Sequence, residues 1–402
     1  MKRVVIMKKY IKFISKIISA VCAFVVTFSL VACTGDGDKK VEYEADRTYV
    51  YGMDYIAFEG IGNGIDYIKA FELMNNLGVK SIRHWMHCNW FFDYKFNRNE
   101  TNIALMHDIL SEASKYGFRI VGMNHCNFNA YGKHIAKLPR DVSEGSEYLE
   151  WLATYERTYY ELVKEFPEIT IWEIDNETNN VDFMPNAVGG QFSLAEMTDI
   201  STDLFYYGSK GVKRANPKNQ TVMGGFVTWC AEEFLRGVYE NIKSGNFGEG
   251  STDPDDYFDC LAWHPYPQIF NREKFVADNK AIYDISLEYE KRAKKVYFTE
   301  IGGWDYLQSA EKSAAYVESL YQTIVEEMPY VESAHYFRAF DNVIDNNNIA
   351  GIFHDPNPDR TDILFGTGRR ANPGSPKLSA YAYQRVAGGS GSLDLLTTFL
   401  ED

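Results

Sequence analysis

Positive charge is scarce in this 402-residue chain: 41 Lys and Arg stand against 56 Asp and Glu, for a net charge of −15. An acidic surface repels nucleic-acid phosphates, which excludes nucleic acid as a partner. Cysteine is scarce too. Six are present, none in Cys-x-x-Cys spacing, and this argues against a zinc site. No Gly-x-Gly-x-x-Gly follows the first strand-like segment, which weakens a dinucleotide-binding reading. Internal repeats, low-complexity tracts and Pro/Gly/Ser linkers are missing from the body of the chain. From Val41 onward the length suits two small domains or one barrel of about 250 residues or more.

Long apolar runs are missing with one exception, Ile17 to Ala32, which carries no charge. It is shorter than the ~20 residues of a membrane span. Lys2, Arg3, Lys8, Lys9, Lys12 and Lys16 precede it, and Met7 opens a second possible start. Such a segment reads as a signal peptide over 1–32. Its end, Leu30-Val31-Ala32-Cys33, resembles a bacterial lipoprotein box, which implies a lipidated Cys33, a tether over 33–47 and an extracytoplasmic protein anchored to the cell membrane at the bacterial surface. A cleaved, unlipidated leader is the alternative. Removing six positive charges takes the net charge from −15 to −21. Cys88, Cys126, Cys230 and Cys260 remain and read as buried free thiols, a disulfide being the alternative in an exported protein.

What is present is alternation. Strand-like runs occur at Tyr49–Phe58, Val79–His87, Phe118–His125, Ile169–Glu177, Thr221–Val227, Phe258–Tyr266, Lys295–Ile301 and Ser333–Phe340. Between them Ile65–Leu77, Ile103–Tyr116, Tyr148–Glu165, Leu194–Ala215 and Ala310–Met328 have helical spacing. Eight strands alternating with helices predict a (β/α)8 barrel over 48–402. A short helix is expected at Leu393–Leu400. In such a barrel, chemistry collects where strands end. Arg83 and His87, Asn124 and His125, Asn176 and Glu177, His264 and Tyr266, and Glu300 all fall at those ends.

Glycosidic cleavage needs two carboxyl groups on opposite sides of the anomeric carbon. Glu177 and Glu300 close the fourth and seventh strands, three apart around eight, and can face each other across the mouth. Singly, each would read as a surface or ion-pair glutamate. The wording around them carries a resemblance. Trp172-Glu-Ile-Asp-Asn-Glu177, Trp263-His-Pro-Tyr-Pro267, Phe298-Thr-Glu300-Ile-Gly and Ser81-Ile-Arg83 resemble the strand signatures of glycoside hydrolase clan A, the retaining TIM-barrel glycosidases. The resemblance implies Glu177 as general acid/base and Glu300 as nucleophile. It implies Asn176 on the sugar 2-hydroxyl, Arg83 keeping Glu300 ionised, and His264 and Tyr266 lining the site, with Asn124 and His125 also on substrate. Glu177 must start protonated, and Trp172 or Asp175 could supply the surround that keeps it so. No cofactor or metal is implied, and a monomer is expected.

Other readings stand beside these. Glu173 shares the parity of Glu177 but lies deeper, as an ion-pair partner of Arg83. His84, His87, His125, His335 and His354 could suggest a metal, though no ligand spacing recurs; His107 and His134 read as surface residues. Asp341-Asn342 with Asp345–Asn348 reads as a solvated loop, calcium being the alternative. Of Trp85, Trp90, Phe91, Trp229, Trp304 and Phe340, half are expected to touch sugar, Trp304 first. The Trp-Glu-Ile-x-Asn-Glu wording resembles family 39, and Gly351-Ile-Phe with Pro376-Lys-Leu-Ser-Ala-Tyr-Ala-Tyr383 resembles the closure of family 39 and family 5 barrels. Family 39 proteins carry an added β-sandwich for which the stretch after Arg385 leaves no room, which brings the chain nearer the compact family 5 barrels. The resemblance thus implies a retaining hydrolase of extracellular, β-linked poly- or oligosaccharide, exo and endo action both fitting. A catalytically inactive sugar-binding surface lipoprotein and a metal-dependent barrel hydrolase are the alternatives.

Overall fold

The computed structural model describes residues 46–58, 65–125, 140–186, 190–245, 251–267, 270–303, 309–341, 350–355 and 374–395. The leader and Cys33, Cys126, His134, Trp304 and the Asp/Asn run 342–348 lie outside the described residues.

Eight parallel strands close into a barrel in chain order: β1 (Tyr51–Asp54), β2 (Ser81–Trp85), β3 (Arg119–Asn124), β4 (Ile171–Asn176), β5 (Gln220–Val227), β6 (Leu261–His264), β7 (Val296–Ile301) and β8 (Val331–Tyr336). Closure is the β1–β8 ladder, with Tyr51 opposite Ala334. Each strand lies within or beside the run expected for it. The expected runs are longer because the apolar pattern continues past the last ladder bond, as at Tyr55–Phe58. Among the described residues, besides a single helical turn at Cys88–Phe91, eight longer helices alternate with the strands: α1 (Tyr67–Leu77), α2 (Glu100–Ser114), α3 (Glu147–Glu165), α4 (Leu194–Ala215), α5 (Ala231–Ser244), α6 (Arg272–Glu290), α7 (Ala310–Glu327) and α8 (Leu378–Ala387). Leu393–Leu395, the described start of the expected tail helix, is not helical.

Local signals set the element ends. Ser193 caps α4, accepting from the Glu196 N–H while the Glu196 carboxylate accepts from the Ser193 N–H. Gly78 ends α1 at φ 88°, a conformation that suits glycine, and sends the chain into β2. The main core lies between strands and helices, around Trp172, Phe205, Trp263 and Tyr321. A smaller core fills the barrel itself, with Val121, Ile171, Val222, Cys260, Ala262 and Tyr297. Below it Arg119 and Lys295 pair with buried Glu332 at 2.9 and 3.1 Å and plug the N-terminal end. Polar interior residues at the opposite end form the site described below. Cys88 and Cys260 are buried free thiols and Cys230 is a half-buried one.

α3 and α4 pack closely because α4 carries Gly208 and Gly211. A Cβ at Gly211 would collide with the Glu156 carbonyl of α3, and one at Gly208 with Ile174 of β4. Mid-helix glycine ordinarily costs stability relative to alanine. At Gly211 the order should reverse, with Gly211→Ala losing about 1–3 kcal/mol to overpacking. Chemical denaturation checks this; an alanine variant as stable as the parent would show that the two helices can part freely.

Candidate active site

Arg83 points into the barrel from β2 and is fully buried. Its guanidinium donates from Nε to Glu173 at 2.6 Å, from Nη1 to Asp54 at 3.1 Å and Glu300 at 2.6 Å, and from Nη2 to Asn176 at 2.7 Å. Four strands, β1, β2, β4 and β7, are thereby tied at one ion. Glu173 is the deep ion-pair partner expected of it, and its second oxygen accepts from the Gly225 N–H at 3.0 Å. Asp54 was not anticipated, although it ends β1 where site residues belong. Burial pushes its carboxyl up to about 7, against the pull of Arg83.

The end of β4 departs from strand geometry. Asp175 and Glu177 have φ of 74° and 47°, left-handed values that are uncommon outside glycine. The first turns Asp175 out of the barrel. Its carboxylate accepts from Tyr155 of α3 at 3.0 Å, and its N–H donates to Tyr159 at 3.0 Å. Trp172 likewise faces the helices, its indole donating to Ile169 O at 3.0 Å. The groups that act most strongly on Glu177 are His264, Asn180 and Arg83, which corrects the expectation that Trp172 or Asp175 sets its protonation. That role falls to His264.

Glu177 Oε1 accepts from His264 Nδ1 at 2.8 Å, and Oε2 accepts from Asn180 at 2.8 Å. Burial works to raise the carboxyl of Glu177, but these bonds and the charges of His264 and Arg83 outweigh it and hold the group below the usual carboxylate range. His264 moves the other way. Burial would strip its proton, yet the charge of Glu300 and the bond to Glu177 lift it above an ordinary imidazole. Its Nε2 is 3.0 Å from the Thr299 hydroxyl. Gly225 makes room for this arrangement, since a Cβ there would collide with His264 Nε2 and Thr299 Oγ1. Thr299 lay unnoticed inside the quoted strand-seven motif, whereas Asn180 carries no signal in the sequence.

Glu300 Oε1 takes the Arg83 bond, and Oε2 accepts from the Tyr266 hydroxyl at 2.9 Å. Burial, with the charges of Glu300 and Glu177, keeps the Tyr266 phenol neutral. Glu177, His264 and Glu300 each offer an atom within 4.8 Å of the others. Asn124 accepts from the Cys88 N–H at 2.9 Å, while its Nδ2, the Asn176 Nδ2 and the Trp85 Nε1 are buried without a protein acceptor. His125 lies 3.7 Å from Asp175 and against the Phe183 ring. Burial lowers its imidazole, and takes His84 down to about 4 and His87 and His335 to about 3. Phe91 and Phe340 are core residues, packed on Phe166 and Phe353, and not sugar platforms. His107 sits on the outer face of α2 beside Glu168.

No protein-family model matches the chain, and no curated protein matches it in sequence. Solved structures do match. A family 39 glycoside hydrolase from Bacteroides cellulosilyticus WH2 aligns with a TM-score of 0.61 at 18% identity, over 86% of this chain and 65% of that one. A glucosidase from Croceicoccus marinus aligns with a TM-score of 0.62 at 15% identity, over 86% and 69%. A family 1 β-glucosidase from Thermotoga maritima aligns with a TM-score of 0.58 at 13% identity, over 88% and 100%. The fold is that of these glycosidases. The chain spans just under two thirds of the length of the family 39 enzyme.

The electrostatics of His264 can be read directly. Glu300 exerts the largest upward pull on the ring, opposing burial. NMR titration of the imidazole nitrogens should place His264 above 6.5 in the parent and distinctly lower in Glu300→Gln, where burial acts with less opposition. An identical titration in both proteins would mean that Glu300 does not act on the ring.

Proposed function

We propose that this chain is a retaining glycoside hydrolase in which Glu300 is the nucleophile and Glu177 the general acid/base. The observation that carries the reading is the pair itself, with Glu177 and Glu300 offering oxygens within 4.8 Å across the barrel mouth. Retaining enzymes hold their carboxyl groups about 5–5.5 Å apart, inverting ones about 6.5–9.5 Å. Environment separates the roles. Both Glu300 oxygens receive donors, from Arg83 and Tyr266, which suits a carboxylate ready to attack. Glu177 instead meets a group that can carry a proton.

Glu177 and His264 share one proton. In the unliganded site it is drawn toward His264, the direction in which both shifts point. A bound sugar excludes water, and burial then favours the neutral pair, with the proton on Glu177. Thr299 suits both states, because its hydroxyl oxygen accepts from the Nε2–H of the imidazolium and of the neutral ring that remains once Nδ1 has given its proton to Glu177. Glu177 protonates the leaving oxygen as Glu300 bonds to the anomeric carbon. Glu300 is then a neutral ester. Glu177, now anionic, takes a proton from water, whose oxygen displaces Glu300 with net retention. Asn176 Nδ2, buried without a protein acceptor, suits a sugar hydroxyl.

The β-glucosidase neighbours support β-linked substrates. Leu30–Cys33 supports attachment to the outer face of a bacterial membrane by lipid on Cys33, and thus extracellular oligo- or polysaccharide as the natural substrate. Glu177, His264 and Glu300 could also present a metal site. Against it, both Glu300 oxygens are already engaged, one by a guanidinium at 2.6 Å. Full activity in excess chelator would dispose of the metal reading, and chelator-sensitive activity would establish it.

Glu300→Ala should abolish turnover on every glycoside. Glu177→Ala should lose roughly 10²–10⁴-fold on poor leaving groups and keep its first step on a dinitrophenyl glycoside. Azide should then rescue Glu177→Ala with retained configuration and Glu300→Ala with inverted configuration, read by NMR of the glycosyl azide. Exchanged outcomes would reverse the two roles, parental rates in both variants would move hydrolysis to another site, and a parent without turnover would leave the inactive sugar-binding reading. Separately, Cys33→Ser should move the protein from the membrane pellet to the soluble fraction; continued pelleting would count against the lipid anchor.

A further inference from the structure

A groove with a cavity volume of about 770 Å³ opens between the start of α5 and the outer face of α6. Thr228, just past β5, and Tyr266, just past β6, line its upper end, and Glu232, Lys274 and Asp278 line it lower down. Its size falls in the ~300–1,000 Å³ range of small-ligand sites. Tyr266 belongs to the groove and to the site at once, since its hydroxyl is on Glu300 at 2.9 Å.

Two independent features fix which part of a substrate would lie there. The buried donors without protein acceptors, on Trp85, Asn124 and Asn176, stand at the ends of β2, β3 and β4. Buried donors need partners, and the hydroxyls of the sugar that bonds to Glu300 would supply them on that half of the mouth. Glu177, which must reach the leaving oxygen, is held instead over β5 and β6. Its N–H donates to Gly225 O at 2.8 Å and its carboxylate accepts from His264. The leaving group therefore departs toward β5 and β6, where the groove begins.

We infer that this groove binds the leaving-group side of a neutral oligosaccharide, holding more than one sugar ring beyond the scissile bond. The inference rests on the glycosidase reading above and adds to it that substrates are chains extended at the reducing end, not single sugars on a small aglycone. The wall chemistry agrees: Ala231, Pro265, Pro267 and Ala281 offer apolar surface that suits sugar C–H faces, and Glu232, Lys274 and Asp278 offer hydrogen-bonding groups for ring hydroxyls. Trp229, next in the chain to the lining residue Thr228 though not itself in the wall, is 67% exposed, an aromatic face available beside the groove.

Ala277, an exposed groove residue on α6, allows a clean test. Ala277→Trp fills the groove away from the catalytic pair, and Trp229→Ala removes the stacking surface. Each is assayed with the parent on dinitrophenyl glycosides and on β-linked xylo-, cello- and manno-oligosaccharides of two to five rings, with the released reducing-end fragment sized by mass spectrometry. In the parent, kcat/KM should rise roughly tenfold or more as rings are added on the leaving side. Ala277→Trp should flatten that rise while matching the parent on dinitrophenyl glycosides, which also reports that it is folded. Trp229→Ala should reduce the rise. A parent that gains nothing from longer leaving groups, or an Ala277→Trp variant that keeps the full gain, overturns the inference and leaves the glycosidase reading intact. A parent that cleaves neither class of substrate overturns both, and is told apart by its failure on the dinitrophenyl glycosides.

Discussion

The architecture of the site depends on one buried cation. Arg83 is the positive centre for Asp54, Glu173 and Glu300, and it fixes Asn176 as well. Three carboxyl groups could not share this volume without it, because burying an unpaired carboxylate is costly. Burial raises the Asp54 carboxyl even beside Arg83, and the charge of Glu300 adds to the rise. Since the partners arrive from β1, β4 and β7, the ion also sets the mutual position of strands far apart in sequence. Positioning of the mouth and electrostatics of the mouth are one interaction here.

Around that centre two glutamates acquire different characters from their neighbours alone. Glu300 faces donors that do not give up their protons: a guanidinium and a phenol held neutral. Glu177 faces an imidazole whose Nδ1 proton is exchangeable with it, with a hydroxyl behind the ring that can accept from Nε2–H throughout. The asymmetry is built on β6 and the residue before Glu300, and so on groups that a search for paired carboxylates passes over.

The barrel was legible because eight apolar runs alternate with helical spacing, and the site because polar residues repeat at strand ends. Arg83, Asn176, His264, Tyr266 and Glu300 meet as their positions in the sequence implied. What could not be read was side-chain direction where regular geometry stops. Strict alternation along β4 puts Asp175 on the face of Glu177, and a left-handed residue at 175 removes it from there, while Trp172, of opposite parity, faces the helices. Phe91 and Phe340 look the same in sequence as rings that line a mouth, because aromatic composition does not distinguish core from platform. The groove between α5 and α6 was invisible for another reason: it is a property of the spacing between two helices, and neither helix was among the segments read from the sequence.

Gly225 has a consequence for how such a site can diversify. With no side chain tolerated there, the floor under His264 is main chain, and the Gly225 carbonyl also receives the Glu177 N–H. A floor of peptide cannot be re-lettered one residue at a time. New sugar preferences would have to arise at the rim, in the segments that follow the strands, while the reaction itself stayed fixed beneath them. Chains with this floor can drift far apart in sequence and still keep the same chemistry in the same place.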